Sequence, residues 1–320
     1  MMKNSCTIRL MGDVMIGRTV NLKISESGYE YPWGDVLPLL QEEGVNIINL
    51  ETAITTSTQP VPKVFNFKAD PDKVNTLKAA NIRFANLANN HIGDFGTGGL
   101  KETIHILDNN SIAHSGAGLN IVEAKRPVII EENNISIGII GCTDNEPSWR
   151  ANTHPGTFFI TIDDPEELES EVVKLRSKVD VLIVSIHWGP NMEMEPNKRQ
   201  VQFAHALIDL GVDIIHGHSA HIFQGIELYN GKIILYDTGD FIDDYVVNDL
   251  LRNDRSFLFE CAIKDKKINA FKLIPVIIQK MQVSLATGHD KEYAIARMQF
   301  LSSVFGTRIT DEGEVVVATN

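Results

Sequence analysis

The chain is poor in several things that would decide its class at once. It has three cysteines in 320 residues. Cys6, Cys142 and Cys261 are far apart and in no ligand or redox spacing, so they are expected to be reduced and buried, as in a cytoplasmic protein. No apolar run approaches the ~20 residues of a membrane span. Residues 1–5 lead straight into a strand-like run without the apolar core of a signal peptide. Basic residues are in the minority: 29 Lys and Arg against 42 Asp and Glu give a net charge of −13. That balance argues against nucleic acid and anionic membrane as main partners, because both need a basic footprint. An anionic substrate would have to be drawn by local charge or by bound metal. Repeats, low-complexity tracts and Pro/Gly/Ser linkers are absent as well.

What is present is 43% hydrophobic residues, ample for a core, arranged as alternating strand-like and helix-like segments. That alternation predicts an α/β fold. Helices are expected over 36–43, from Asp70-Pro71 to about Asn81 with Asp70 as the cap, and over 98–109, 165–178, 198–210 and 292–305. Strands are expected over 128–131, 135–142, 233–236 and 257–263, with an edge strand at 314–317. Asn230-Gly231 between 226–229 and 232–235 signals a hairpin. One domain over 1–268 is the simplest reading, with 269–320 as an accessory helix and strand packed on it.

Five apolar runs end in polar clusters. They are 6–11 before Gly12-Asp13, 45–50 before Glu51, 82–87 before Asn90-His91, 181–186 before His187, and 212–215 before His216-Gly217-His218, with His221 following. In open α/β sheets ligands bind at the carboxyl ends of strands, so these clusters predict a site assembled from the whole chain. Each alone is compatible with a capped turn or a satisfied core histidine. Together Asp13, Glu51, Asn90, His91, His187, His218 and His221 make a mixed oxygen and imidazole set without thiolate, which suits Mn, Fe or Zn. Two such metals would create a nucleophilic hydroxide near neutral pH and clamp developing charge. His187 and His218 are the candidates to stabilise or protonate in catalysis. Strand alternation is expected to turn His216 away from the side of His218. Of the acidic run Asp237, Asp240, Asp243 and Asp244, some would orient ligating histidines, Asp240 among them, and most would be a solvated loop. Arg18 and Lys68 are the candidates to grip an anion. Glu193, Glu195 and Asp240 are candidate general acids. His105, His114, His154, His205 and His289 carry no partner spacing.

The motifs Gly12-Asp13-Val14-Met15-Ile16-Gly17-Arg18, Asn49-Leu50-Glu51-Thr52-Ala53-Ile54, Leu87-Ala88-Asn89-Asn90-His91, His187-Trp188-Gly189 and Gly217-His218-Ser219-Ala220-His221 stand in the order seen in CapA-like proteins. The resemblance spans about residues 6–280. These are the bacterial capsule or poly-γ-glutamate biosynthesis proteins of the calcineurin-like metallophosphoesterase superfamily. The resemblance implies a sandwich of two mixed β-sheets flanked by helices. It also implies a site for divalent metals, expected as a pair, at the seven positions above. Met15 stands where that superfamily usually has His, and Glu51 where Asp is usual. The implied activity is metal-dependent hydrolysis of a phosphoester or a glutamate-derived amide, with a small anionic or glutamate-rich substrate. The alternative is a non-catalytic scaffold that binds polyglutamate or another polyanion and keeps the metal site.

Overall fold

Two sheets are built in turn as the chain proceeds. The computed structural model describes residues 4–315. The first strands are β1 (Ser5–Val14), β2 (Val45–Leu50), β3 (Ile82–Asn86) and β4 (Ala113–Ser115), all parallel neighbours. The chain then crosses to a second sheet made of β5 (Val128–Glu132), β6 (Ile135–Thr143), β7 (Val181–His187), β8 (Ile214–His218), β9 (Ile226–Tyr229) and β10 (Lys232–Leu235). Its order is β9-β10-β8-β7-β6-β5. The last strands return to the first sheet: β11 (Asp240–Ile242), β12 (Arg255–Lys264), β13 (Lys267–Gln279), β14 (Gln282–Leu285) and β15 (Glu314–Val315). Both sheets are mixed, as the resemblance implied. The edge strand expected over 314–317 is described as Glu314–Val315, and the rest of that span lies outside the described residues.

Period-two alternation decides which face each side chain joins. Ile47 points between the sheets with Ile8, Leu10 and Phe84, meeting Ile137, Ile139, Ile183 and Ile214 of the second sheet. Its neighbour Ile48 points outward with Leu50 and Ala85, under α1 (Arg18–Ser27) and the longer helix Gly96–Asn109, which supply Val20, Ile24, Leu100 and Leu107. On the far side Val184, Ile186 and Ile215 are covered by Leu168, Val172, Phe203 and Leu207 from the helices Glu166–Arg176 and Lys198–Asp209. The result is a sandwich of helix, sheet, sheet and helix layers. The three cysteines are free and buried.

Several elements differ in detail from expectation. β1 runs on through Gly12-Asp13, with a register irregularity between Leu10 and Asp13. Asp70 does not cap its helix: its Oδ2 accepts from Asn21 Nδ2 at 2.9 Å. The segment it opens is a short 3-10 turn, Pro71–Lys73, followed by Val74–Ala79. A 3-10 turn, Tyr31–Val36, likewise precedes a helix confined to Leu37–Gln41. The Asn230-Gly231 hairpin forms as expected, with φ of 50° and 73° at the two turn residues. β13 crosses residue 268 while paired to β12, and Ala294, Ile295, Met298 and Leu301 of the helix Gly288–Ser303 join the core between the sheets.

Phe84 is fully buried between the sheets. Phe84→Ala should cost about 3–5 kcal/mol in urea unfolding, and a loss below about 1 kcal/mol would contradict this account of the core.

Candidate metal centre

The carboxyl ends of β1, β2, β7 and β8 meet at one end of the sandwich because two backbones approach too closely for side chains. A Cβ on Gly12 would lie 1.8 Å from the carbonyl oxygen of Gly239, and one on Gly217 would lie 2.1 Å from that of Tyr236. Glycine at 12 lets β11 close against β1, with Asp13 and Asp240 in register, and glycine at 217 lets the chain leaving β10 pass close to β8. After β8 the chain turns with φ of 126° at Ser219 and 62° at His221. Such conformations cost about 1–3 kcal/mol each and persist only when the surroundings fix them. Here Asp237 fixes the turn, accepting from Ala220 N at 2.7 Å and from Gly239 N at 2.8 Å.

Asp13 belongs to two buried groups. In the first, His187 Nδ1 and His218 Nδ1 lie 2.9 Å apart and each lies 3.9 Å from Asp13 Oδ1. In the second, Asp13, Glu51, His221 and Asp240 each bring one donor atom within 4.8 Å of the others. His221 Nδ1 is 3.5 Å from Asp13 Oδ2 and 2.9 Å from Asp240 Oδ1. Three carboxylate oxygens of this group, Asp13 Oδ2, Glu51 Oε1 and Asp240 Oδ2, are buried without a hydrogen-bond partner. Orphaned buried acceptors are expensive. Unpartnered oxygens converging with imidazole nitrogens are the donor set that divalent metals take, so these residues fit such ions.

The electrostatics point the same way. Burial raises Asp13 well above the usual carboxylate range, helped by the neighbouring Asp240 charge. Burial and Asp13 push Glu51 up to about 8, and burial and Asp243 raise Asp240. His187 and His218 are held well below the usual imidazole range by burial, so both are neutral and free to ligate near pH 7. Burial opposes the charge on His221, but Glu51 and Asp13 outweigh it and raise this ring.

Residues 7–245, about three quarters of the chain, match the family described as bacterial capsule synthesis protein PGA_cap. The chain belongs to this family. It is 30% identical to a Mycobacterium tuberculosis protein named "Probable polyglutamine synthesis accessory protein", over 98% of this chain and 97% of that one. It is 30% identical to the Bacillus subtilis "PGA biosynthesis protein CapA", over 84% of this chain and 71% of that one. The crystal structure of a hypothetical protein from Thermus thermophilus has the same fold at 12% identity, with a TM-score of 0.52, covering 84% of this chain and 98% of that one.

Within this PGA_cap family member, the expected residues Asp13, Glu51, His187, His218 and His221 come together, and Asp240 joins them directly. His91 lies alongside, with Nε2 3.8 Å from Glu51 Oε1 and Nδ1 2.6 Å from Asp94 Oδ2. Asn90 is half-buried; its Oδ1 has no partner and its backbone oxygen accepts from Lys63 Nζ. Arg18 faces Asp244 at 3.5 Å and sits over Phe67, while Lys68 Nζ donates to Ser57 O at 3.2 Å. Lys63 is a further cation whose charge reaches Glu51 and His91. Two expectations are overturned. His216 does not turn away: two residues from His218 on one strand, it shares that face, with ring centroids 5.1 Å apart. Its nitrogens are taken up by Ser185 Oγ and Met11 O at 3.1 and 2.9 Å. The acidic run is no solvated loop, since Asp237, Asp240 and Asp243 are buried.

Residues missed from the sequence hold the site together. Asn49 Nδ2 donates to Asp13 Oδ1 at 2.7 Å, and Asn86 Nδ2 and Asn89 Nδ2 both donate to Asn49 Oδ1. Tyr245 OH donates to Glu51 Oε2 at 3.1 Å. The available signal was Asn49 itself, an amide inside the apolar strand Val45–Leu50.

The folded state holds the Glu51 proton up to about pH 8, while an ordinary glutamate releases it near 4.5. Its contribution to stability is therefore fully present below 4.5 and lost as pH rises to about 8. In chelator-treated protein the urea midpoint of wild type should fall relative to that of Glu51→Gln across this window, and parallel curves would refute the assignment.

Proposed function

We propose that this chain is a metal-dependent hydrolase acting on a phosphoester or a glutamate-derived amide. The observation that carries the reading is the sharing of Asp13 between an Asp–His–His group and an Asp–Glu–His–Asp group. Asp13, His187 and His218 would hold one divalent ion, and Asp13, Glu51, His221 and Asp240 a second, with Asn90 Oδ1 a further candidate. When bound, such a pair lowers the pKa of water and stabilises charge on the reacting group. The relatives' names, polyglutamine synthesis and PGA biosynthesis, support a glutamate-derived substrate.

The chain's own residues orient and carry protons. Asn49 fixes Asp13 Oδ1 and leaves Oδ2 facing His221. Asp94 accepts the Nδ1 proton of His91, so the neutral ring presents its Nε2 lone pair toward Glu51. Burial holds His91 down to about 4, so Nε2 is free near pH 7 to ligate or to take up a proton. Phe67 stacks on this ring at 3.7 Å and keeps its angle. His187 and His218, named from the sequence as catalytic, face Asp13 and suit ligation better than proton transfer.

One observation favours the binding-scaffold alternative. Met15, at the position of the usual ligating His, is fully buried, and its sulfur accepts from Gly17 N. The ligand set is thus one imidazole short of the superfamily pattern.

Metal content separates the readings. Protein purified without added metal should carry near-stoichiometric Mn, Fe or Zn by elemental analysis and lose most of it in Asp13→Ala. Wild type should also hydrolyse a phosphoester or a γ-glutamyl amide. Bound metal with no turnover would favour the scaffold, and no metal even after Mn reconstitution would overturn the site.

A further inference from the structure

The two groups that share Asp13 differ in donor chemistry. The first adds two imidazoles, His187 and His218. Ser185 Oγ meets His218 Nε2 at 3.1 Å, which leaves Nδ1 on the side of Asp13, 3.9 Å from its Oδ1. One carboxylate and two rings make a three-ligand set, the number that catalytic zinc sites use while keeping a position open. The second group adds two carboxylates and a single imidazole, Glu51, Asp240 and His221. Imidazole suits Zn²⁺, whereas carboxylate oxygen suits harder ions such as Mn²⁺.

The backbone accounts for the oxygen-rich group. Asp13 N donates to Gly239 O at 2.9 Å and Met15 N to Ile242 O at 2.8 Å, so β11 borders the chain from Asp13 to Met15. Met15 offers no imidazole there. β11 reads Asp-Phe-Ile, so Asp240 is the donor it brings, in register with Asp13. Asp240 Oδ1 lies 2.9 Å from His221 Nδ1, and its Oδ2 is buried with no hydrogen-bond partner. Orienting the His221 ring needs only one of these oxygens. The second is left over, as are Asp13 Oδ2 and Glu51 Oε1 of the same group, and all three residues are fully buried. Spare buried oxygens are costly unless a cation takes them up.

We infer that Asp240 stands in for the imidazole absent at Met15, and that this exchange gives the two groups different ions. The group of Asp13, Glu51, His221 and Asp240 favours a hard ion of the Mn²⁺ class. The group of Asp13, His187 and His218 favours Zn²⁺. The inference rests on the metal-site reading proposed above and adds to it a choice of ion, with Asp240 as the residue that makes it. Zinc outranks manganese in raw affinity at most nitrogen and oxygen sites. The discriminating quantity is therefore the ratio of the two affinities, compared between groups.

The test titrates Mn²⁺ and Zn²⁺ by calorimetry into chelator-treated protein at one pH. His187→Ala/His218→Ala retains the carboxylate-rich group, and Glu51→Gln/Asp240→Asn retains the imidazole-rich one. The zinc-to-manganese affinity ratio of the first variant should be lower than that of the second by about tenfold or more. Asp240→His, added to the histidine double variant, should raise its ratio by about tenfold or more. Wild type needs no substitution and serves if a variant does not fold. Given one equivalent of Zn²⁺ and excess Mn²⁺, then desalted, it should retain near-equal amounts of both, with the manganese visible by electron paramagnetic resonance. Equal ratios in the two double variants, or retention of zinc without manganese by wild type, would overturn the inference. So would an unchanged ratio on Asp240→His, the result expected if Asp240 only orients the His221 ring. Each of these outcomes leaves a protein that binds metal, so the hydrolase reading survives them. Wild type that binds neither ion would overturn both.

Discussion

The site rests on mutual repulsion among buried carboxylates. Asp13, Glu51 and Asp240 crowd around His221 with no other cation in the group. At an effective dielectric of about 20, two unit charges 4 Å apart repel by about 4 kcal/mol. The fold can hold these groups together only by keeping some protonated or by admitting positive charge. β1 is placed to bear that load. Over Ser5–Leu10 it pairs with β12, and from Asp13 it pairs with β11, with β2 on its other side. The change of partner at Gly12 sets Asp240 beside Asp13.

Around this centre the supporting bonds form a chain. Asn86 and Asn89 fix Asn49, Asn49 fixes Asp13, Asp94 fixes His91, Tyr245 fixes Glu51, and Asp237 fixes the strained turn that carries His221. Each member orients one donor before any ligand arrives, which is what gives a polar site its strength in a low-dielectric interior.

Much of this was legible in the sequence because strand ends announce themselves. Apolar runs of five or six residues closing on Asp13, Glu51 and His187 gave both the sheet and the donors. The rest was hidden for identifiable reasons. Asn49 and Asn86 are amides within apolar strands, and nothing local says that each meets a partner from another strand. Asp237 to Asp244 looked like solvated acid because charge density suggests surface, whereas a cluster that gathers cations can bury it. Arg18 and Lys68 were anion-gripping candidates by charge alone; in the structure Arg18 faces Asp244, and Lys68 donates to Ser57 O and lies near Asp70. His216 was misjudged by a slip in strand parity, since residues two apart share a face.

The antiparallel pairing of β1 with β12 bears on where this protein can be cut. The family match ends at residue 245, and β12 begins at Arg255. A fragment trimmed to the match would strip the neighbour from Ser5–Leu10 and leave a buried apolar strand with a bare backbone edge, the kind of edge that recruits other chains. The recognisable family region and the cooperative folding unit are therefore different objects, and the strand that links them is the one that carries Asp13.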